Sequence, residues 1–159
     1  MKAIILSVNP PHAGKLVDGI KTNEWRTKTL PIGKTYIYET KKNGGCGLVI
    51  GEVDVIASAP IPIKTLNNAK LIPLVQDGCV GVNFLQEYAA AHNTDKLYAN
   101  IVEKAVRYDK PKELSEFKHV QECPYSKKRC IGMPCDNKKD CIIHTKVRVP
   151  QSWCYVEEL

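Results

Sequence analysis

The residues best suited to chemistry lie between positions 21 and 26, in the segment Lys-Thr-Asn-Glu-Trp-Arg. Residues two apart on a strand share a face, so Glu24 and Arg26 are expected to lie together while Trp25 points away. A carboxylate can accept hydrogen bonds from the exocyclic amine of a base, and a guanidinium can hold a phosphate or a base edge as a fork. With the Lys21 ammonium as a point charge, the set predicts recognition of a base or a phosphate.

The same three residues allow two other interpretations. If burial lowers the pKa of Lys21, Glu24 can act as a general base while Lys21 or Arg26 stabilises a developing oxyanion. Alternatively, Glu24 and Arg26 form a surface ion pair that contributes only ~0–1 kcal/mol. The residues alone leave recognition, catalysis and a simple ion pair open.

The elements before this segment should position it. Residues 3–8 are apolar and partly β-branched, which predicts a buried strand, and Asn9 can cap the helix that we expect over residues 11–18. Gly19 stands where a left-handed turn would end that helix. Lys21 is therefore expected just before the next strand, after a strand, a short helix and the glycine that ends the helix.

The remaining pattern alternates strands with turns and adds one more helix. We expect strands over residues 34–40, 47–57, 97–108 and 151–157, a hairpin at 43–45, a connector over 59–80, a helix over 83–92 and a turn over 109–112. The first sixty residues are predicted to be mostly antiparallel, and the strands to form a small mixed barrel with helices outside.

The opening of the chain resembles the ASCH family, a branch of the PUA-like β-barrels. The resemblance rests on the Asn-Pro helix after the first strand and on the motif G-x-K-x-x-E-x-R that begins at Gly19. The strand over 47–56 and the ending over 150–157 also resemble the family, including its small bacterial and phage-encoded relatives. The resemblance implies one α+β domain over 1–159, a PUA-like mixed β-barrel with flanking short helices and a Cys-rich insert. It further implies a cleft for RNA, single-stranded nucleic acid or a modified nucleoside.

The resemblance implies two activities as alternatives to binding. Some members are similar to amidohydrolases that act on acylated cytidine, and ribonuclease activity has been attributed to others. The amidohydrolase pattern pairs the motif lysine, here Lys21, with a threonine that Glu24 replaces in this chain. Glu87 on the second helix is the best candidate for the glutamate of that pattern. The candidate catalytic set is therefore Lys21, Glu24 and Glu87, with binding as the first interpretation.

Four further residues are predicted to border the cleft and contact the ligand. Ser7 and Asn9 lie at the end of the first strand, and Tyr38 and Trp153 are strand aromatics. A base can stack on such a ring with a contribution of ~1–3 kcal/mol.

A basic, cysteine-rich insert is predicted at about residues 118–148. It holds eight Lys or Arg residues against three acids, a charge that would attract RNA or DNA or an acidic protein partner. Cys123, Cys130, Cys135 and Cys141 crowd into nineteen residues, with His119 and His144 beside them. This predicts a structural zinc site with the four cysteines as ligands, and free or partly disulfide-linked thiols are the alternative.

Length and composition restrict the class of protein. The 159 residues suit one domain, and 43% hydrophobic with 25% charged residues is the composition of a globular protein. The first apolar run, residues 3–6, falls far short of the ~18–20 residues that span a bilayer and of a signal-peptide core. We therefore expect no membrane contact and a cytoplasmic location. No feature of the sequence sets an oligomeric state.

Overall fold

The computed structural model describes residues 1–65, 67–120 and 146–159. Within these ranges the chain forms six β-strands and three α-helices. The strands are β1 (Lys2–Val8), β2 (Asn23–Arg26), β3 (Gly33–Glu39), β4 (Val49–Ile61), β5 (Leu97–Lys112) and β6 (Trp153–Glu157). The helices are α1 (His12–Val17), α2 (Asn68–Asp77) and α3 (Val82–Ala91).

All six strands belong to one mixed sheet in the order β2-β5-β4-β3-β1-β6. β1 pairs in parallel with β3 and antiparallel with β6, while every other pairing is antiparallel. The apolar run of β1 is buried on both faces, as expected of a strand inside a sheet that is covered on both sides. The parallel β1–β3 pair corrects the expectation of a mostly antiparallel start. It is possible because α1 and β2 supply the long crossover that parallel strands need.

The predicted α+β class and mixed sheet are confirmed, but the sheet does not close into a barrel. Its edge strands, β2 and β6, do not pair with each other within the described ranges. Where β2 approaches the end of β1, the contact is made by a side chain, because the Arg26 guanidinium donates to the Ser7 carbonyl at 2.8 Å. This hydrogen bond links β2 to β1 without any strand pairing between these two described strands.

Apolar side chains form three buried clusters that hold the layers together. One cluster joins α1 to the sheet through residues such as Leu6, Leu16 and Ile37. A second covers the opposite face around Tyr36 and Phe117, whose rings meet edge to face at 4.9 Å. The third packs α2 and α3 against β2 and β5, with members that include Trp25, Leu71, Leu85 and Leu97. This third cluster holds the two helices over the segment that carries Glu24.

Two elements differ from the sequence-based expectation. The predicted connector contains α2, even though Pro73 lies inside it. Its start is capped by the Asn67 side chain, which accepts a hydrogen bond from the Lys70 N–H at 3.0 Å, and its apolar side packs in the third cluster, so burial outweighs the lost hydrogen bond. The turn predicted at 109–112 is wrong because β5 continues to Lys112. A proline is tolerated there because β2 pairs with β5 only over 98–101, which leaves the far end of β5 an edge.

Gly51 allows α1 to approach the sheet closely. A Cβ at this position would lie 2.2 Å from the Val106 carbonyl oxygen and 2.7 Å from Val17 Cγ1. We expect Gly51→Ala to lower the free energy of unfolding by about 1–3 kcal/mol, measured by urea denaturation, because the added methyl group overpacks this contact.

Gly81→Ala is the control, since a Cβ there meets nothing within 4 Å. Alanine lowers the entropy of the unfolded chain, which stabilises the variant, but it is a poorer N-cap residue than glycine, which destabilises it. We expect the two effects to cancel to within about 0.5 kcal/mol. Equal losses in the two variants would contradict the prediction.

None of the helices in the described ranges has the length and hydropathy needed to cross a bilayer.

Candidate functional site

Lys21 is positioned by the way α1 ends. Gly19 adopts a left-handed conformation with φ of +70°, as the sequence predicted, and the chain then turns back over the helix. The N–H groups of Ile20 and Lys21 both donate to the Lys15 carbonyl, at 3.0 and 2.9 Å. This turn carries Lys21 into the interior, where only 3% of its surface is exposed.

Lys21, Glu24 and Arg26 form one buried network. Lys21 Nζ lies 2.8 Å from Glu24 Oε2, and Arg26 Nε donates to Glu24 Oε1 at 2.9 Å. Glu24 is 5% exposed. The expectation that Glu24 and Arg26 share a face is confirmed. The surface ion-pair interpretation is wrong, because the Glu24 carboxylate and the Lys21 ammonium that it contacts are both buried.

The charge state of Glu24 follows from its two cationic partners. Burial opposes ionisation, but the Lys21 and Arg26 charges and hydrogen bonds outweigh it, so the pKa of Glu24 lies below its ordinary value. The carboxylate is therefore ionised at neutral pH. As an acceptor with about four lone-pair sites, it keeps capacity beyond its contacts with Lys21 and Arg26.

His12 is a site residue that the sequence analysis missed. It is the first residue of α1, and its buried Nδ1 makes no hydrogen bond to the described part of the chain. Burial, and then the positive charge of Lys21, lower the pKa of His12, so its imidazole is neutral at pH 7. Its position directly after the Asn-Pro-Pro junction at the end of β1 was the available signal.

The network lies in the wall of an open cleft of about 420 Å³. The structure brings five predicted residues to this cleft, namely Ser7, Asn9, Lys21, Glu24 and Arg26. It adds others that the sequence did not indicate, among them His12, Thr40, Lys42, Phe84, Tyr88 and Gln151. The side chain of Asn9 does not cap α1 but accepts a hydrogen bond from Thr40 Oγ1 at 2.5 Å, which ties the ends of β1 and β3 together at the rim.

Three predicted residues lie outside the cleft lining. Tyr38 is buried and lines a different cavity, on the side of the sheet that faces Glu113. Trp153 lines a neighbouring groove. Glu87 is exposed on α3, and the residues of that helix that reach the cleft are Phe84 and Tyr88. The catalytic prediction for Glu87 therefore gains no support from its position.

The predicted zinc ligands Cys123, Cys130, Cys135 and Cys141 lie outside the described residues, as does most of the basic insert. His119, which precedes the predicted ligands in the sequence, is described. It is buried, and its backbone pairs with Val156 in an isolated antiparallel β-bridge. In the described ranges no three His, Cys, Asp or Glu side chains cluster in a way that could hold a metal ion. The zinc site stays a prediction.

Comparison with known proteins bears on the fold. No protein-family model and no curated protein sequence matches the chain. Solved structures of the ASCH protein from Zymomonas mobilis are similar to it at 19% sequence identity. Two point variants of that protein give TM-scores of 0.65 and 0.64, covering 99% and 98% of this chain and 92% and 89% of theirs. The unsubstituted protein gives 0.62, covering 98% of this chain and 88% of its own. The chain therefore has the ASCH fold, which is the fold that its opening motif predicted.

Proposed function

We propose that the cleft binds a nucleotide unit of RNA, or a nucleotide-like ligand, and that Lys21, Glu24 and Arg26 recognise it. The observation that carries this proposal is the buried carboxylate held between two cations in the wall of an open cleft. Such an arrangement is preorganised, because the ligand does not have to immobilise these side chains itself.

The charge of the cleft favours an anionic ligand. The described residues that line it include three cations, Lys21, Arg26 and Lys42, and one carboxylate, Glu24. Arg26 uses Nε and Nη2 for its contacts with Glu24 and Ser7. Its third nitrogen, Nη1, belongs to a side chain that is 19% exposed, so a phosphate can approach the guanidinium from the cleft.

The part of the cleft lining that α3 supplies is suited to a base. Phe84 and Tyr88 lie one helical turn apart on α3, with ring planes 8° apart and centroids 6.0 Å apart. Phe84 is 47% exposed, so part of its surface is open to a ligand. A base lying against these rings would stack on one face and present its amine edge to Glu24.

Recognition fits Glu24 better than proton transfer does. Its pKa is lowered and its charge is already matched by Lys21 and Arg26. A carboxylate of this kind is a weak general base at neutral pH. Its remaining acceptor capacity suits an exocyclic amine, such as that of cytosine.

Hydrolysis of an acylated nucleoside or of single-stranded RNA is the second candidate, and His12 is the residue that favours it. A neutral imidazole in the same cleft as the buried Lys21 ammonium could accept a proton while the cation stabilises an oxyanion. This chemistry would use His12 in the role that the sequence analysis gave to Glu24.

Titration of the purified protein with cytidine, CMP, uridine and UMP by calorimetry tests the proposal. We expect CMP to bind more tightly than cytidine, because of its phosphate, and more tightly than UMP, because of its amine. The affinity for CMP should fall as salt rises, because the phosphate contact is electrostatic and screened. Failure of every nucleotide to bind would refute the proposal.

Chromatography after incubation with N4-acetylcytidine and a labelled single-stranded RNA tests the second candidate. Product that disappears in both Lys21→Ala and His12→Ala would establish turnover in this cleft.

A further inference from the structure

A second groove, of about 530 Å³, opens directly beside the cleft. The two share Arg26, Tyr88 and Gln151. Lys28, His92 and Trp153 line only the second groove. The shared residues make the two depressions one continuous path along the side of α3, with Arg26 and Tyr88 at the junction.

The lining of this second groove is complementary to nucleic acid. Its described residues include the cations Arg26 and Lys28 and no carboxylate. The polar side chains of Gln151 and Ser152 lie beside the aromatic ring of Trp153. A groove with positive charge, hydrogen-bonding groups and aromatic rings has the composition that single-stranded nucleic acid requires.

Three rings on α3 and its C-cap residue line the two depressions. Phe84, Tyr88 and His92 follow each other at intervals of four residues, so they share one face of the helix. The Tyr88 and His92 rings meet edge to face with centroids 4.5 Å apart. From Phe84 to His92 the row spans about 12 Å of the helix axis. That length matches three to four stacked bases at about 3.4 Å each, which is more than one base needs.

We propose that the second groove binds the nucleotide next to the one held in the cleft, so that the ligand is a single-stranded oligonucleotide rather than a free nucleoside. The inference rests on the proposed function. Arg26 lies between the two subsites and contacts the phosphate that links them. Tyr88 and His92 provide the aromatic surface for the second base, and Lys28 provides charge to the outer phosphate.

Calorimetry with CMP and with the dinucleotide pCpC tests this inference, because both ligands contain the same CMP unit. We expect pCpC to bind about tenfold or more tightly than CMP, as one additional stacked base allows. Lys28→Ala and His92→Ala should each reduce that advantage at least threefold while leaving CMP affinity unchanged. Both side chains are exposed, and the thermal unfolding midpoint of each variant verifies its fold.

Lys110→Ala is the matched control, since it removes the same charge from an exposed position of β5 that lines neither depression. Equal affinities for CMP and pCpC would overturn the inference and leave the proposed function standing. If neither ligand binds, both proposals fail. If an oligoglutamate peptide binds as tightly as pCpC, charge alone explains the groove, and the inference is overturned in favour of an acidic protein partner.

Discussion

Replacing Glu24 with alanine is expected to lower the free energy of unfolding by about 3–5 kcal/mol, measured by urea denaturation at pH 7. The loss arises because the Lys21 amine, 3% exposed, would be left in the interior without the carboxylate that it contacts at 2.8 Å. Arg26 would lose the same partner. Removing one member of a buried charge network leaves an uncompensated charge, which costs far more than breaking a surface pair.

Glu103→Ala is the control for this variant, because Glu103 is an exposed acid on β5, the strand that pairs with β2. Its effect should stay within about 0.5 kcal/mol. If Glu24→Ala costs less than about 1 kcal/mol, the carboxylate is not buried against its partners in solution and the described site is wrong.

The effect of Glu24 should depend on pH with a defined sign. Its pKa in the folded protein lies below the value in the unfolded chain. The stabilisation is therefore fully present above the unfolded pKa and is lost as the pH falls through the folded pKa. The difference in unfolding free energy between wild type and Glu24→Ala should be largest at neutral pH and shrink in the acid range. A difference that grows on acidification would contradict this assignment.

Arg26→Ala is expected to lower the affinity for CMP by about 10- to 150-fold in calorimetric titration, as the loss of a charge-assisted hydrogen bond to phosphate would. The affinity for cytidine, which lacks the phosphate, should change much less. The preference of the wild type for CMP over cytidine should therefore largely disappear. Arg26→Lys keeps the charge without the fork and should recover only part of the affinity.

Two further variants keep the Arg26 prediction testable if Arg26→Ala loosens the fold through its contact with Ser7. Lys42→Ala removes an exposed cation from the lining of the same cleft and should weaken CMP binding in the same direction. Lys110→Ala removes a cation outside it and should have no effect. Equal losses for CMP and cytidine in Arg26→Ala would show that Arg26 supports the fold of the site rather than the phosphate contact.

The local backbone structure around the site could be predicted because it depends on residues that are close together in the sequence. The apolar run of β1, the glycine that ends α1 and the two-residue spacing of Glu24 and Arg26 each act through short-range geometry. Strand periodicity places Glu24 and Arg26 on one face whatever surrounds them. The ASCH fold was accordingly predictable from the opening motif, and the positions of Lys21, Glu24 and Arg26 in one cleft followed from it.

The structure alone decided the features that depend on distant parts of the chain. α2 forms despite Pro73 because its apolar side packs in a cluster with Trp25, and the edge strands β2 and β6 do not pair within the described ranges. His12, Phe84 and Tyr88 reach the cleft, whereas Tyr38 and Glu87 do not.

The amino-acid sequence by itself determined which charged residues stand together and which fold they belong to. Only the tertiary structure decided that Lys21 and Glu24 are buried, since burial depends on parts of the chain that are distant in sequence. It also decided that Phe84 and Tyr88 line the same cleft. Neighbouring cations keep Glu24 ionised, but its burial and the shape of its ligand site depend on long-range packing, which local spacing does not reveal.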